Sequence, residues 1–154
     1  MFDFFKKKKE SVFVDPCGDL LKEVQILKTR LPDFDPYNMK KLQKTLATEE
    51  KIMEKYKTFF ANYGPDDMNV NDYKLAKENF ELDQERFDWD QSLLLLMQKI
   101  LELAQDGIMQ SDIKKHIPDA NPKQITEVCK RFEKEKRIKR EKKGSSYYIT
   151  IKER

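Results

Sequence analysis

Histidine, cysteine and glycine are scarce in this sequence, and each shortage excludes a class of site. His116 is the single histidine, and no Ser-His-Asp or Cys-His arrangement accompanies it. Cys17 and Cys129 are too few for a disulfide framework or a four-ligand metal site. No glycine-rich loop is present to cradle phosphates. We therefore expect a protein that is not an enzyme and that uses no metal or cofactor.

Long hydrophobic runs are also lacking. The longest, Leu93 to Met97, is far too short to cross a bilayer. Three phenylalanines precede Lys6 to Lys9 at the start, the reverse of the order in a secretory signal. These features predict a cytoplasmic protein without stable membrane association. Residues 1–16 are expected to form a loose arm, which either packs its phenylalanines on the body or touches a membrane surface.

Charge of one sign is not in excess overall, since the net charge is only +3. Its distribution is uneven, however. Residues 108–154 hold 14 Lys and Arg against 7 Asp and Glu, whereas residues 1–107 hold 17 against 21. An acidic front and a basic end indicate a polyanionic partner for the basic end. Four glycines and six prolines favour helices joined by short loops.

Residues 17–88 are predicted to form a helical region. Apolar residues at helical spacing predict a first helix at about 19–30: Leu20, Val24, Leu27 and Leu31. Asp35-Pro36 predicts the start of a second helix, as an N-cap followed by proline. That helix is expected to end before the turn at Asn62 to Pro65.

The stretch from Asp66 to Asp106 contains no glycine or proline. Apolar residues recur there at every seventh position: Tyr73, Phe80, Phe87, Leu94 and Leu101. A second set of positions between them forms a seam that is apolar at Ala76, Met97 and Ala104. Asp83 and Asp90 occupy the remaining seam positions, so the pattern is not that of a clean coiled coil. The stretch predicts either one long helix or two helices broken around residues 88–90. We expect these front helices to form a homodimer, with a monomeric bundle as the alternative.

Residues 89–154 are predicted to form a terminal domain. An apolar helix is expected to end at Gly107, and Ser111 is expected to cap a short helix that Pro118 ends. Asn121 and Pro122 then predict the start of a second helix. One face of that helix is an apolar stripe: Ile125, Val128, Cys129 and Phe132. Cys129 is therefore expected to be a buried free thiol.

The opposite face of this helix carries groups suited to phosphates and base edges. They are Lys123, Lys130, Arg131 and Lys134 with Glu127, flanked by Gln124 and Thr126. Two strands are expected next, around a turn that contains Gly144. Their inward set is expected to be Ile138, Tyr147, Ile149 and Ile151, and the first strand and turn are basic, with Lys139, Arg140, Lys142 and Lys143.

A helix, a helix-turn-helix and a basic-tipped hairpin, in this order, resemble the winged helix-turn-helix superfamily over about Trp89 to Ile151. The resemblance implies that Pro122 to Glu135 is a recognition helix and that Lys139 to Ser146 is the wing. It implies a DNA-binding set of Lys123, Gln124, Thr126, Lys130, Arg131, Lys134, Lys139, Arg140, Lys142 and Lys143. Glu127 and Glu135 depart from the pattern, because they place negative charge beside the DNA face.

The expected function is therefore binding of double-stranded DNA, in a sequence-specific manner, by a homodimeric regulator of transcription. The alternative is a winged-helix module that docks another protein in a replication, partition or transcription assembly. The two acidic residues on the proposed DNA face, Glu127 and Glu135, keep this alternative open.

Overall fold

The computed structural model describes residues 15–152. The arm predicted for residues 1–16 lies almost entirely outside them, and so do the phenylalanines and lysines of the membrane-surface hypothesis. The described chain is mainly helical and ends in a small antiparallel sheet, which confirms the predicted class. The helices are α1 (Pro16–Lys28), α2 (Met39–Asn62), α3 (Val70–Gln105), α4 (Ile113–His116) and α5 (Pro122–Lys134). The strands are β1 (Ile108–Met109), β2 (Ile138–Lys143) and β3 (Ser146–Ile151).

The described residues divide into two compact units, a front unit of residues 15–31 and 47–86 and a terminal unit of residues 32–46 and 87–152. Residues 32–46, which lie within the predicted helical region 17–88, belong to the terminal unit. Leu42 is buried in the core of that unit, and Tyr37 and Met39 pack against this core.

Helix α1 begins at Pro16, three residues before the predicted start. Proline is tolerated there because the first residue of a helix needs no hydrogen-bond donor. Asp15 caps the helix, its carboxylate accepting a 2.9 Å hydrogen bond from the Gly18 amide. Three members of the predicted apolar face, Leu20, Val24 and Leu27, are buried, whereas Leu31 lies beyond the end of α1 and is half-buried.

Helix α3 runs without interruption from Val70 to Gln105, so the break considered around residues 88–90 does not occur. The absence of glycine and proline explains this continuity. The five apolar residues at every seventh position, Tyr73 to Leu101, are all half-buried. The apolar seam residues Ala76, Met97 and Ala104 are buried.

Asp83, one of the acidic residues in that pattern, is held by two partners in the front unit. The Tyr56 hydroxyl donates a 2.6 Å hydrogen bond to Asp83 Oδ2, and Lys28 Nζ lies 2.9 Å from Oδ1. Tyr56 is completely buried. Its burial, and to a smaller extent its hydrogen bond to Asp83, raise the pKa of the phenol above the ordinary value. The carboxylate is tolerated because both of its oxygens are satisfied.

The core of the terminal unit joins α2, α3, α4, α5 and the sheet. Its completely buried members come from four of these elements: Met97, Ile100, Ala104, Ile113, Val128, Cys129, Phe132 and Ile149. The predicted stripe of α5 is thus confirmed as a core face. Cys129 is completely buried and forms no disulfide, which confirms the expected buried free thiol. This burial raises the pKa of the thiol to about 12.

The sheet has the order β1-β3-β2, and both of its pairings are antiparallel. Strand β1 was not expected, because two residues carry no alternation for a sequence pattern to detect. Gly144 turns the hairpin at φ +65°, and Gly107 follows α3 at φ +82°, both left-handed positions that favour glycine. Of the predicted inward set, Ile138 and Ile149 are buried and the other two are half-buried.

Candidate nucleic-acid interface

Local hydrogen bonds fix the start of α5. Asn121 caps the helix as predicted, its side chain accepting a 2.8 Å hydrogen bond from the Lys123 amide, and Pro122 takes the first position. Lys114 Nζ fastens the preceding turn by donating to the carbonyls of Pro118, at 2.6 Å, and Ala120, at 2.7 Å. Side-chain hydrogen bonds therefore hold both the start of α5 and the turn before it.

Ser111 does not cap the short helix α4. It lies inside a 3₁₀ turn, Gln110–Asp112, and its amide donates a 3.2 Å hydrogen bond to the Ser146 hydroxyl at the start of β3. The structure therefore uses Ser111 to connect the turn to the hairpin rather than to begin a helix.

The exposed face of α5 is a ridge of three lysines, Lys123, Lys130 and Lys134, which we call the lysine ridge. All three are exposed. At 100° per residue they span an arc of only about 40°, opposite the buried stripe. Glu127 is the acidic neighbour of this ridge, with an oxygen 3.9 Å from Lys130 Nζ, a weak and exposed pair. The ridge thus presents positive charge to solvent.

Arg131 lies on one flank of the lysine ridge and is already paired. Its Nη1 and Nη2 atoms lie 3.0 and 2.9 Å from the two oxygens of Asp35, a bidentate pair, and Nη1 is 3.7 Å from Glu135. Hydrogen bonding to Arg131 lowers the pKa of the Asp35 carboxyl, and the same bond raises the pKa of Arg131. Gln124 is half-buried on this flank.

Arg140 lies on the other flank and is nearly enclosed, with 7% of its side chain exposed. Its Nη1 donates to Glu133 at 3.1 Å and its Nε to Gln110 at 3.2 Å, while the guanidinium stacks 4.0 Å from the centre of the Tyr147 ring. Thr126 is occupied as well, because its hydroxyl donates to the Pro122 carbonyl at 3.1 Å.

The basic residues of the hairpin lie on two faces of the sheet. The register pairs Arg140 with Ile149 and Lys142 with Tyr147, so these two cations share the face that carries the core residues. Lys139 and Lys143 lie on the opposite face, and Lys139 is 3.5 Å from Glu141. Lys142 and Lys143 are exposed near the tip, with their ammonium groups 5.7 and 5.8 Å from tyrosine rings.

The structure thus separates the ten predicted residues into two groups. The exposed cations are Lys123, Lys130, Lys134, Lys139, Lys142 and Lys143. The half-buried residues are Gln124, Thr126, Arg131 and Arg140. Sequence reasoning missed the partners that hold the two arginines, Asp35, Gln110 and Glu133.

Asp35 was predicted to cap α2, but that helix begins at Met39. Asn38 takes the capping role instead, accepting a 3.0 Å hydrogen bond from the Lys41 amide through its side chain. Asp35 is thereby left to bind Arg131. The signal available in the sequence was Asn38 itself, an equally good N-cap residue four positions before Leu42.

Comparisons with known proteins found no match: no protein-family model, no curated protein and no solved structure is significantly similar to the chain. Within residues 15–152, no three His, Cys, Asp or Glu side chains are grouped so as to hold a metal ion. The helices of this part of the chain include none with the length and apolarity to cross a membrane.

Proposed function

We propose that the chain binds double-stranded DNA through α5 and the β2–β3 hairpin. The lysine ridge is the observation that carries this proposal, because it places three exposed cations on one face of a firmly capped helix. The element order supports a winged-helix arrangement for residues 89–151, with α4 and α5 as the helix-turn-helix and the hairpin as the wing. Here α5 enters the major groove and the wing touches the backbone.

Phosphate contacts from both elements provide the binding energy. Lysine is a compact point charge with three donors, which suits it to phosphate oxygens. The exposed cations of α5 and the hairpin would neutralise about four to six phosphates, so log affinity falls against log salt with a slope of roughly −4 to −5.

The charge of the exposed face also favours DNA over a protein partner. The centres of protein–protein interfaces are depleted in charged residues, lysine and glutamate in particular. The exposed positions of α5 instead carry the lysine ridge together with Glu127 and Glu133. The resemblance to winged-helix proteins implies a role in the regulation of transcription. We include this role in the proposal, and it requires that the chain binds DNA.

A salt titration with a wing variant tests the proposal. We expect Lys142→Ala/Lys143→Ala to weaken duplex binding about 30-fold at 150 mM salt and to make the slope less negative by about 1.8, because two phosphate contacts are lost. Fluorescence anisotropy with a labelled duplex between 50 and 200 mM salt measures both quantities. Lys51→Ala/Lys57→Ala removes the same charge from exposed positions of α2 and should leave the slope unchanged.

An unchanged slope in the wing variant would remove the hairpin from the interface. No binding of the unmodified chain at 50 mM salt would refute DNA binding altogether and favour a protein partner for the same unit.

We also propose the homodimer expected of the front helices. Leu75 and Leu82 are 44% and 65% exposed, seven residues apart on α3, and offer apolar surface for it. Light scattering should then give twice the monomer mass of 18.5 kDa, and Leu75→Glu/Leu82→Glu should give the monomer mass. A monomeric unmodified chain at 100 µM or so would contradict the dimer.

A further inference from the structure

We infer that the α5 interface recognises the DNA backbone and is largely indifferent to base sequence. This inference rests on the proposed function and specifies its ligand as duplex DNA of any sequence rather than one operator sequence. It follows from the environment of the side chains at this interface: Arg131, Arg140 and Thr126, which are suited to reading bases, are half-buried and hydrogen-bonded within the chain, whereas the exposed cations are lysines, which suit phosphates.

Arginine is the residue that most often reads a base, through two parallel hydrogen bonds to guanine. The geometry of Arg131 shows this fork already filled, because both oxygens of Asp35 occupy it at 2.9 and 3.0 Å. A guanine would have to displace a charged carboxylate that matches the guanidinium equally well. Arg131 therefore does not act as a base reader while Asp35 is present.

Arg140 is less accessible still. Only 7% of its side chain is exposed, and Glu133, Gln110 and the Tyr147 ring surround its guanidinium. We assign it a positioning role, because its hydrogen bonds join β2 to α5 and to the turn after β1. It fixes the wing relative to α5 without contacting DNA.

The uncharged base-reading candidates are limited as well. The Thr126 hydroxyl donates to the Pro122 carbonyl, and its oxygen also lies 3.4 Å from Gln110 Nε2. Gln124 remains as one half-buried amide on the Arg131 flank. One amide discriminates at a single base pair, which is too little to define an operator.

The exposed cations predicted for the interface are all lysines, interspersed with exposed glutamates. A lysine ammonium is a compact point charge that matches phosphate oxygens, and it lacks the planar fork with which arginine fixes the orientation of a guanine edge. A protein with this surface covers or organises duplex DNA, and any effect on transcription follows from occupancy rather than from recognition of a site.

Binding to a panel of duplexes tests this inference. We expect labelled 24-base-pair duplexes of different sequence and composition to bind at 100 mM salt with affinities within about threefold of one another. Rounds of selection from a random duplex library should enrich no motif. A selected motif bound 100-fold more tightly than the starting library would overturn the inference and leave DNA binding intact. If no duplex binds at 50 mM salt, the inference and the proposed function both fail.

An Asp35 variant tests the mechanism. Asp35→Asn removes the charged bidentate partner and leaves Arg131 only the longer 3.7 Å pair with Glu135. Binding to every duplex should therefore tighten about five- to tenfold, and the salt slope should steepen by about 0.9. Asp33→Asn changes the charge equally at an exposed position two residues away and should have a much smaller effect. Adding Arg131→Gln to Asp35→Asn should abolish the gain. A gain that persists in the double variant, or equal gains from both single variants, would contradict the role assigned to Asp35.

Discussion

Replacing the lysine ridge by alanine, Lys123→Ala/Lys130→Ala/Lys134→Ala, is expected to weaken duplex DNA binding about 100-fold at 150 mM salt. The slope of log affinity against log salt should become less negative by about 2.7, because each lost phosphate contact contributes about 0.9. The fold should be retained, since all three side chains are exposed and surface substitutions of this kind change stability little. Anisotropy titrations at several salt concentrations measure the effect.

A charge-matched control separates contact from general attraction. Lys51→Ala/Lys57→Ala/Lys74→Ala removes the same charge from exposed positions of the front unit and should leave the salt slope within experimental error. If both triple variants lose affinity equally, binding follows net charge alone and the lysine ridge is not the interface.

Truncation of Phe132 should have the largest effect on stability. Its ring is completely buried in the core of the terminal unit, and the Arg137 guanidinium lies 5.2 Å from the ring centre. We expect Phe132→Ala to reduce the free energy of unfolding by about 3–5 kcal/mol, through lost burial and the cavity left behind. The change removes much of the stability of a small domain.

Urea unfolding measures this effect, followed by the fluorescence of Trp89, the single tryptophan, which belongs to the same unit. Leu95→Ala is the matched control, because Leu95 is 65% exposed and its truncation should cost about 0.5 kcal/mol or less. Similar losses in the two variants would mean that Phe132 is not the core residue that its burial indicates.

The sequence predicts the parts of this structure that depend on neighbours along the chain. Asn121 and Pro122 determine the start of α5 through local backbone hydrogen bonding and a fixed φ angle, and the apolar stripe of α5 determines which face is buried. Gly107 and Gly144 mark a helix end and a hairpin tip because each needs a left-handed backbone.

The pairing of the arginines could not be predicted in this way. Arg131 and Asp35 are 96 positions apart, and Arg140 and Gln110 are 30 apart, so their contacts depend on the packing of whole elements. A helical wheel identifies Arg131 as part of the polar face, but it does not show that a carboxylate occupies the guanidinium. The helical wheel therefore predicts which face of α5 is buried, but it does not predict which of the polar side chains have partners within the chain.

The core in which residues 32–46 pack could not be predicted from the sequence for a related reason. Leu42 lies in the apolar face of a long helix, and periodicity does not indicate which core that face enters. In the structure this turn of α2 packs in the terminal unit and brings Asp35 to α5. The control of Arg131 by Asp35 thus depends on a segment that sequence patterns place elsewhere.

Lysine acylation footprinting, read by mass spectrometry with and without duplex DNA, tests the central claim most directly. We predict that DNA protects Lys123, Lys130 and Lys134 strongly and protects the wing residues Lys142 and Lys143, while Lys51 and Lys57 react as in the free protein. Unchanged reactivity of the lysine ridge in the presence of bound DNA would contradict the account, because it would place the DNA on another surface of the chain.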